Sequence, residues 1–501
     1  MRRGIGKRGK FSLSNYKLFS CDPGYLVPCG LVEVLPGDTL QQATSALVRA
    51  MPLNAPVMHP VDVRIHHWYV PLRLIWEDFE DFITGGPDGN DTSAFPTIKM
   101  SFTAPPASGS GVLGGLGDYL GVPPGIDQLE VSALPFRAYA MIFNEWYRDQ
   151  DLVNEVPWSE ASGVDTTTNT DLLRIAWEKD YFTSARPWEQ KGPSITVPIG
   201  TDAPVRLDAI SNPGSADGKF AVSARANDGT ASNNFGDNYG VNDGAIPTNS
   251  SFNLFADLTG VSSVTVTLLR EAMALQRYEE ARARFGSRYT EYLRYLGVQS
   301  SDARLQRPEY LGGGRQTIQF SEVLQTAEGS DPVGEMRGHG IAAMRSNRYR
   351  RFFEEHGYVL SLMSVRPKTI YAQGLARHWN RRTKEDFFQK ELQHIGQQEV
   401  LYKELYAAHS TPDGTFGWQD RYDEYRRIES TIAGEFRDTT LDYWHMARIF
   451  STDPALNSDF VQCNPTDRVF ASQSTDKLLI MAKHSIQARR LVAQTGKSFI
   501  Y

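Results

Sequence analysis

The stretch VDVRIHHWYVPLRLIWEDFEDF, residues 61–82, changes its hydrophobic period at Pro71. Before the proline, successive side chains alternate between two faces, which is the pattern of a β-strand. One face would carry Val61, Val63, Ile65, His67 and Tyr69, and the other Asp62, Arg64, His66, Trp68 and Val70. After the proline, apolar residues recur at helical spacing, namely Leu72, Ile75, Trp76, Phe79 and Phe82. The stretch therefore predicts a strand that leads directly into a short helix, which Gly85 and Gly86 end.

The two adjacent histidines in this stretch raise the question of a metal site. Neighbouring residues on a strand point to opposite faces, so His66 and His67 cannot both bind one metal without a bulge. The acidic residues that follow fall between the apolar positions of the helix, on its solvent side: Glu77, Asp78, Glu80 and Asp81. The stretch is therefore interpreted as part of a wall, and neither a metal site nor an acid/base site is predicted.

Composition narrows the class of protein. The chain has 501 residues, 42 of them glycine and 27 proline, which favours a loop-rich globular protein. Its cysteines are Cys21, Cys29 and Cys463, an odd number without a CxxC pair, so we expect neither a disulfide scaffold nor a thiolate zinc site, and a reducing compartment. No long apolar run predicts membrane insertion or a secretion signal.

The net charge of −7 makes a general polyanion binder unexpected, so any nucleic-acid contact must come from a local patch. Residues 1–20 are predicted to form a basic N-terminal arm. Its first ten residues carry no acid and five cations, which we expect to contact DNA phosphates without sequence preference: Arg2, Arg3, Lys7, Arg8 and Lys10. The alternative is a solvated tail that only improves solubility.

Further elements follow from the same periodicities. Helices are predicted over 135–152, 259–284 and 380–406, and strands over 194–200, 315–325, 357–367, 466–474 and 477–492. The third helix follows a basic cluster, which is a second candidate for DNA or subunit contact: Arg377, Arg381, Arg382 and Lys384. Together these elements favour an antiparallel β-sandwich with long, partly helical insertions.

Residues 200–253 differ from the rest of the chain, because half of them are Gly, Asn, Asp or Ser. Such a segment cannot bury enough apolar surface for a core of its own, so we predict a projecting surface loop. The residues expected to contact something outside are Asn233, Asn234, Phe235, Asp237, Asn238 and Tyr239. The alternative is a passive insertion, which surface loops tolerate well.

Motifs for catalysis and cofactor binding are missing. LGGLGDYLG (113–121) lacks the GxGxxG spacing, and LGGGRQT (311–317) lacks the Lys-Ser/Thr of a P-loop, so its glycines are expected to let the chain turn into the next strand. No HExxH, GxSxG or EF-hand pattern occurs. We predict no enzyme activity and no cofactor. A jelly-roll enzyme of the cupin type would need converging histidines, and the adjacent His66 and His67 count against it.

Several long blocks carry a family resemblance. These blocks resemble, in family order, the major capsid proteins of the Microviridae, in particular the gokushovirus-like branch. The blocks near the start are FSLSNYKLFSCDPGYLVPCGLVEVLPGDTL and PLRLIWEDFEDFITGG. The later ones are PFRAYAMIFNEWYRDQDL, DYFTSARPWEQKGP, SSDARLQRPEYLGGG, DFFQKELQHIGQQEV, TFGWQDRYDEYR and LDYWHMARIF. Two departures point to a divergent subgroup. The segment after Asp386 lacks the proline expected of gokushovirus relatives, and the C-terminal tail is basic.

The resemblance implies a mainly β fold: one eight-stranded antiparallel jelly roll over residues 21–501 with large insertions. It also implies a role as the building block of a T=1 icosahedral shell around circular single-stranded DNA. Residues 200–253 would then form the protrusion at the three-fold axis and face the host. The aromatic-rich segment near residue 420 supplies the expected subunit contacts: Trp418, Arg421, Tyr422 and Tyr425.

The partners implied by the resemblance are other copies of the chain, the single-stranded DNA genome, a small basic DNA-binding protein, a DNA pilot protein, an internal scaffolding protein and a host surface receptor. The chain would be part of the virion, after assembly in the host cytoplasm. A glycan-binding spike or tail protein with a jelly-roll fold is the alternative. The two differ in abundance, because a spike is a minor component of a particle and a shell protein is the dominant one.

Overall fold

The computed structural model describes residues 8–102, 111–193, 195, 205–207, 254–256, 266–285, 289–298, 301–302, 306–326 and 333–492. The chain divides into two compact units, Met1–Lys191 with Glu280–Tyr501, and Gly192–Glu279. The strands are β1 Gly9–Ser12, β2 Asn15–Cys21, β3 Leu26–Val34, β4 Thr39–Ala50, β5 Val61–Pro71, β6 Thr97–Met100, β7 Leu129–Ser132, β8 Val205–Leu207, β9 Leu254–Ala256, β10 Glu309–Thr317, β11 Gln319–Leu324, β12 Met336–Arg345, β13 Tyr349–Phe352, β14 Gly357–Pro367, β15 Gln397–Leu401, β16 Thr415–Asp420 and β17 Leu478–Arg490. The α-helices are α1 Phe79–Thr84, α2 Leu116–Leu120, α3 Leu134–Ile142, α4 Val266–Phe285, α5 Tyr289–Tyr295, α6 Tyr402–Leu405 and α7 Ser458–Val461.

Two antiparallel sheets organise the first unit. Sheet A has seven strands in the order β1-β17-β4-β12-β11, with β2 also paired to β17 and β13 also paired to β4. Sheet B has four strands in the order β10-β5-β14-β3. The predicted mainly β, antiparallel sandwich with inserted loops and helices is confirmed, and the count of eight jelly-roll strands stays a prediction.

The main core lies between the two sheets. One hydrophobic cluster joins Val48 and Ile480 of sheet A to Val63, Ile65 and Met363 of sheet B. These residues occupy alternate positions along their strands, because successive strand side chains point to opposite faces. Burial of this alternating set is the main favourable contribution to folding of the sandwich.

Sheet B is buried on its other face as well. Trp68 and Leu360 of that face belong to a second hydrophobic cluster with Phe136, Tyr139 and Ile142 of α3. The helix begins with a proline in its first turn, as predicted, and continues as a π-helical turn over Phe143–Tyr147. Sheet B is therefore the middle layer of the first unit, between sheet A and the helices.

The stretch at 61–82 folds largely as its periodicity predicts. β5 ends at Pro71, a 3₁₀ turn covers Leu72–Leu74, and α1 ends at Gly85, whose φ of 87° is left-handed. Trp76 is completely buried. Three of the four acids are exposed, whereas Asp78 is partly buried and accepts a hydrogen bond of 2.6 Å from Ser162.

The helix predicted over 380–406 is wrong. The chain there forms 3₁₀ turns over Arg377–Asn380, Lys384–Asp386 and Leu392–His394, followed by β15 and α6. Thr383 and Asp386 satisfy each other's backbone N–H groups in a capping box, and Gly396 has a φ of 58°. These local features interrupt a helix that apolar spacing alone would favour.

Most predicted strands are confirmed, with exceptions. The segment at 315–325 contains the end of β10 and all of β11. The segment at 357–367 is β14, and the segment at 477–492 contains β17. The strand predicted over 466–474 is wrong, because this segment consists of turns whose Val469 and Phe470 enter the core. The strand at 194–200 lies outside the described residues except for Ile195, which is not in a strand.

The glycines at 312–314 do not form the expected turn, since they lie inside β10. A bulge separates Tyr310 from Gly312 in its pairing with β5. A Cβ atom on Gly313 would lie 2.3 Å from the carbonyl oxygen of Ile65. The glycine is therefore required for the close approach of two paired strands.

In the second unit, β8 and β9 form an antiparallel pair in which Val205 lies opposite Ala256. This pairing brings together the two ends of the segment between them. The predicted helix over 259–284 is confirmed from Val266 onward as α4, which ends at Phe285. Residues 208–253, including the six predicted contact residues from Asn233 to Tyr239, lie outside the described residues.

Candidate subunit and nucleic-acid interfaces

The histidines of β5 have structural surroundings. His66 lies within 2.7 Å of the Tyr147 hydroxyl, and His67 lies between the hydroxyls of Ser361 and Ser346, at 2.8 and 3.0 Å. Burial lowers the pKa of His66 to about 4 and that of His67 to about 3, so both rings are neutral at pH 7. Among the described residues, no three His, Cys, Asp or Glu side chains are placed to hold a metal ion.

An aromatic patch, defined as Phe387, Phe388 and Tyr425, surrounds the guanidinium group of Arg381. These three side chains are 53%, 51% and 50% exposed. The guanidinium lies 5.4 Å from the ring centroid of Phe387 and 4.6 Å from that of Tyr425. The rings of Phe388 and Tyr425 meet edge to face at 6.3 Å. Exposed aromatic rings around an arginine have the composition of an interface hot spot.

Two carboxylates, buried Glu404 and partly buried Glu424, pair with the arginines of this region. Arg377 lies 2.9 Å from Glu404, which is 4% exposed and also accepts a hydrogen bond of 3.0 Å from the Tyr181 hydroxyl. Burial raises the pKa of Glu404, and the charge of Arg377 opposes that rise. Glu424 lies 3.6 Å from Arg377 and 3.7 Å from Arg381. Both arginines are therefore ion-paired within the chain, and Arg381 also contacts two rings of the patch.

The rest of the predicted basic cluster is more open. Arg382 donates hydrogen bonds to the carbonyl oxygens of Trp379 and Arg381. The Lys384 side chain is 86% exposed, with Glu385 at 3.6 Å. The cluster thus divides into two internally paired arginines and two residues at the surface. Contact of this cluster with DNA stays a prediction.

The four residues predicted to contact neighbouring subunits differ in their exposure. Tyr425 belongs to the patch and is half exposed, whereas Tyr422 is buried and donates a hydrogen bond of 3.1 Å to the carbonyl oxygen of Phe387. Trp418 is partly buried and pairs through its backbone with Arg186, and Arg421 lies over the ring of Tyr422 at 5.5 Å. Phe387 and Phe388 fall within the helix predicted over 380–406, and their exposure could not be predicted from its apolar spacing. The run of two adjacent phenylalanines was the available signal.

At the N-terminus, the structure describes two of the five predicted DNA contacts. Arg8 donates hydrogen bonds to the Gly37 carbonyl at 2.8 Å and the Thr39 hydroxyl at 3.2 Å. Lys10 is exposed in β1, opposite Arg489 of β17. Arg2, Arg3 and Lys7 lie outside the described residues. Within the segment predicted as a basic N-terminal arm over 1–20, the described residues contribute β1 and most of β2 to sheet A.

The sequence matches one known protein family over almost its whole length. Residues 3–500 match the model of a family described as capsid protein (F protein). The chain belongs to this phage capsid protein family. The match spans both compact units, and it agrees with the resemblance to Microviridae capsid proteins noted in the sequence.

Individual relatives of this capsid protein are named capsid protein VP1. The one from Bdellovibrio phage phiMH2K is 36% identical over 465 residues, covering 88% of this chain and 86% of the relative. The one from Chlamydia phage 1 is 32% identical over 541 residues, covering 93% and 91%. The one from Spiroplasma virus 4 is 30% identical over 502 residues, covering 94% and 90%.

The capsid protein is therefore a structural component of the phage virion, it assembles with copies of itself into the capsid, and it is not an enzyme. None of the described helices is long and apolar enough to cross a membrane. The functional surfaces to identify are accordingly the contacts with neighbouring subunits and with the contents of the capsid.

Proposed function

We propose that copies of the capsid protein close into a T=1 icosahedral shell around a circular single-stranded DNA genome. The observation that carries the subunit contact is the aromatic patch, whose three rings are about half exposed in the single chain. Burial of such rings against a neighbour removes apolar area from water and stabilises the contact. Repeated heterologous contacts of standard size, roughly 1,200–2,000 Å² each, are sufficient to close a shell around symmetry axes.

Replacing Phe388 with serine is expected to reduce the yield of closed particles at least tenfold, because it removes an exposed ring of the patch. The fold should persist, since Phe388 is 51% exposed and belongs to none of the core clusters of the described residues. Particle yield is measured by sedimentation of lysates from cells that produce the whole virus. Phe388→Tyr keeps the ring and serves as the matched control. Equal particle yields from F388S, F388Y and the unmodified chain would contradict a contact at the patch.

We further propose that residues 200–253 form the protrusion at the three-fold axis and contact a host surface receptor. The Gly-, Asn-, Asp- and Ser-rich composition supports this proposal, as does the pairing of β8 with β9, which joins the ends of the segment between them. An insertion whose ends are paired can change its length with little effect on the rest of the fold.

Replacing residues 211–250 with a short Gly-Ser linker is expected to leave the particle yield unchanged and to lower adsorption to host cells at least tenfold. Adsorption is measured as the loss of free particles after mixing with cells. A linker that replaces residues 87–90, an exposed glycine-containing turn of the first unit, is the control. Normal adsorption of the shortened protein would show that the segment only decorates the shell.

The remaining proposed partners are the small basic DNA-binding protein, the DNA pilot protein and the internal scaffolding protein. The net charge of −7 supports the first of these, because the chain as a whole cannot neutralise a packaged polyanion. Phosphate contacts must then come from the basic protein and from local cationic surfaces of the capsid protein.

A further inference from the structure

The two faces of sheet A differ. One face packs against sheet B, with Leu40 and Val48 of β4 completely buried. The other, here called the outer face, carries the alternate residues of the same strands. Leu18 and Tyr16 of β2 are 79% and 62% exposed there, and Phe352 of β13 is 48% exposed. Within the described part of the chain, no layer of helices covers this face as the helices cover sheet B.

Six strands of sheet A contain no Asp or Glu residue: β1, β2, β4, β12, β13 and β17. In addition to Arg337 at the far end of β12, their exposed outward positions carry six cations, namely Lys10, Arg49, Arg345, Arg350, Lys483 and Arg489. The whole chain has 59 acidic and 52 basic residues, so a random surface of this size would include carboxylates. The outer face is therefore a basic surface on an acidic protein.

These cations are also not neutralised by neighbouring acids. None of the six forms an ion pair with a carboxylate of the described residues. Arg490, which points to the opposite side of β17, shows the contrast, because its guanidinium lies 2.9 Å from buried Asp38. Arg337, on the outer face at the far end of β12, is the exception, because Glu335 lies 2.7 Å away. The outer face thus carries a group of cations that have no carboxylate partner among the described residues.

Strand pairing brings these charges together from distant parts of the sequence. Lys483, Ser45 and Arg345 form one row across the sheet. Since adjacent strands lie about 4.8 Å apart, the backbones that carry the two cations are about 10 Å apart. Lys10 and Arg489 lie in a second row, which continues through Thr39 to Phe352.

Each exposed ring of this face has a cation beside it. The ammonium group of Lys483 lies 5.4 Å from the ring centroid of Tyr16, and the guanidinium of Arg8 lies 5.5 Å from that of Phe352. Sequence-tolerant binding of single-stranded nucleic acid uses this combination, in which cations follow the phosphates and aromatic rings stack on the bases. A duplex would offer no unstacked base to these rings.

We propose that the outer face of sheet A binds packaged single-stranded DNA, with its cations on the phosphates and with Tyr16 and Phe352 stacked on bases. The inference rests on the proposed shell and deepens it, because it makes this face the inner wall of the capsid. The apolar side chains at one end of the face, Leu18, Leu479 and Met481, are assigned no contact with DNA, although Arg49 lies opposite Leu479. Charge complementarity selects the occupant, since the phosphate chain is the polyanion that the shell encloses.

Ultraviolet crosslinking of intact, unmodified virions tests the proposal without any variant. Mass spectrometry of the digested capsid protein should find nucleotide adducts on the peptides that contain Tyr16 and Phe352. Adducts confined to other surfaces, or crosslinks of this face to another virion protein in place of DNA, would overturn the proposal. Failure of the shell itself would be recognised separately, from the protein composition of the same particles.

A double variant gives a quantitative test. Arg345→Gln with Lys483→Gln removes two phosphate contacts, which at 0.15 M salt is expected to weaken binding of labelled (dT)30 to soluble full-length chain about tenfold. Lys99→Gln with Lys390→Gln changes the net charge equally at exposed sites away from sheet A and should alter the affinity less than twofold. Thermal unfolding checks that both variants are folded. Equal affinities for the two variants would overturn the proposal.

Discussion

Replacing Arg137 with methionine is expected to lower the free energy of unfolding by about 3–5 kcal/mol. The Arg137 side chain on α3 is 1% exposed and that of its partner Asp165 is 0% exposed, at a distance of 2.8 Å. The guanidinium also donates to the carbonyl oxygens of Ile75 and Ala161, at 3.0 and 2.8 Å. The substitution would leave a buried carboxylate without its cation and two carbonyl groups without a donor.

The ionisation of Asp165 supports this expectation. Burial alone would raise the pKa of Asp165, but hydrogen bonds from Thr168 and from Arg137 outweigh it, so the pKa lies below its usual value. The carboxylate therefore stays charged at neutral pH, and the loss of the arginine is not relieved by protonation. Arg137 joins α3 to the segments that contain Ile75 and Ala161. These segments lie on the face of sheet B that points away from sheet A, so losing the contacts of Arg137 would loosen the helical layer there.

The matched control is the surface pair of Arg73 and Glu355. Its two groups approach to 2.6 Å, but the side chains are 29% and 44% exposed. Arg73→Met is expected to change the free energy of unfolding by less than about 1 kcal/mol. Both variants are compared with the unmodified soluble chain by denaturant unfolding. Similar costs for R137M and R73M would show that burial of the first pair does not determine its contribution.

Acidification from pH 6.5 to pH 5 is expected to destabilise the chain by roughly 4 kcal/mol per pH unit. Burial lowers the pKa values of His59, His66 and His67 to about 4, 4 and 3. Each ring is neutral in the fold and becomes protonated in the unfolded chain near pH 6.5, so the unfolded state binds more protons as the pH falls. Stability is therefore complete above pH 6.5 and declines by about 1.4 kcal/mol per pH unit for each histidine.

The neighbours of these histidines act in the same direction. His67 lies near His484 and His66, and His59 lies near His445 and Arg468. Positive charge on these neighbours opposes protonation of His67 and His59 in the folded chain. Burial also lowers the pKa of His484. Carboxylates contribute in a different window, because the ion-paired Glu178 has a pKa of about 2 and loses its contribution only below about pH 4.

The free energy of unfolding measured between pH 7 and pH 5 tests this expectation. His67→Gln should reduce the slope by about 1.4 kcal/mol per pH unit, since it removes one of the protons taken up on unfolding. His339→Gln is the control, because His339 lies on the exposed side of β12 and contacts Ser321. A stability that does not change between pH 6.5 and pH 5 would contradict the structural role assigned to these buried rings.

The strands could be predicted where the sequence alternates strictly. β17 buries alternate residues and shows a period of two, whereas β5 and β14 are buried on both faces and are recognisable from short runs rich in apolar residues. The segment at 380–406 could not be predicted in the same way. Its apolar residues have helical spacing, but Val400 is buried whereas Phe387 and Ile395 are exposed, and local caps and Gly396 determine the backbone.

The proposed surfaces could be predicted only in part. Lys10 was identified from the charge of the N-terminal segment, and Tyr425 from the aromatic-rich segment that contains it. Arg49, Arg345 and Lys483 are each separated by more than a hundred residues, and only the pairing of β4 with β12 and β17 brings them onto one face. The sequence signal for such a surface is the set of strands without acids, which becomes interpretable once their shared face is known.

Cryo-electron microscopy of nuclease-treated virus particles, with mass spectrometry of their protein content, tests the capsid function most directly. The particles should be sedimented from cells that produce the whole virus, because assembly of the chain alone can require scaffolding partners. We expect closed T=1 icosahedral shells in which this chain is the dominant protein. A particle whose shell is built from another protein, with this chain as a minor component, would contradict the shell function and favour a glycan-binding spike.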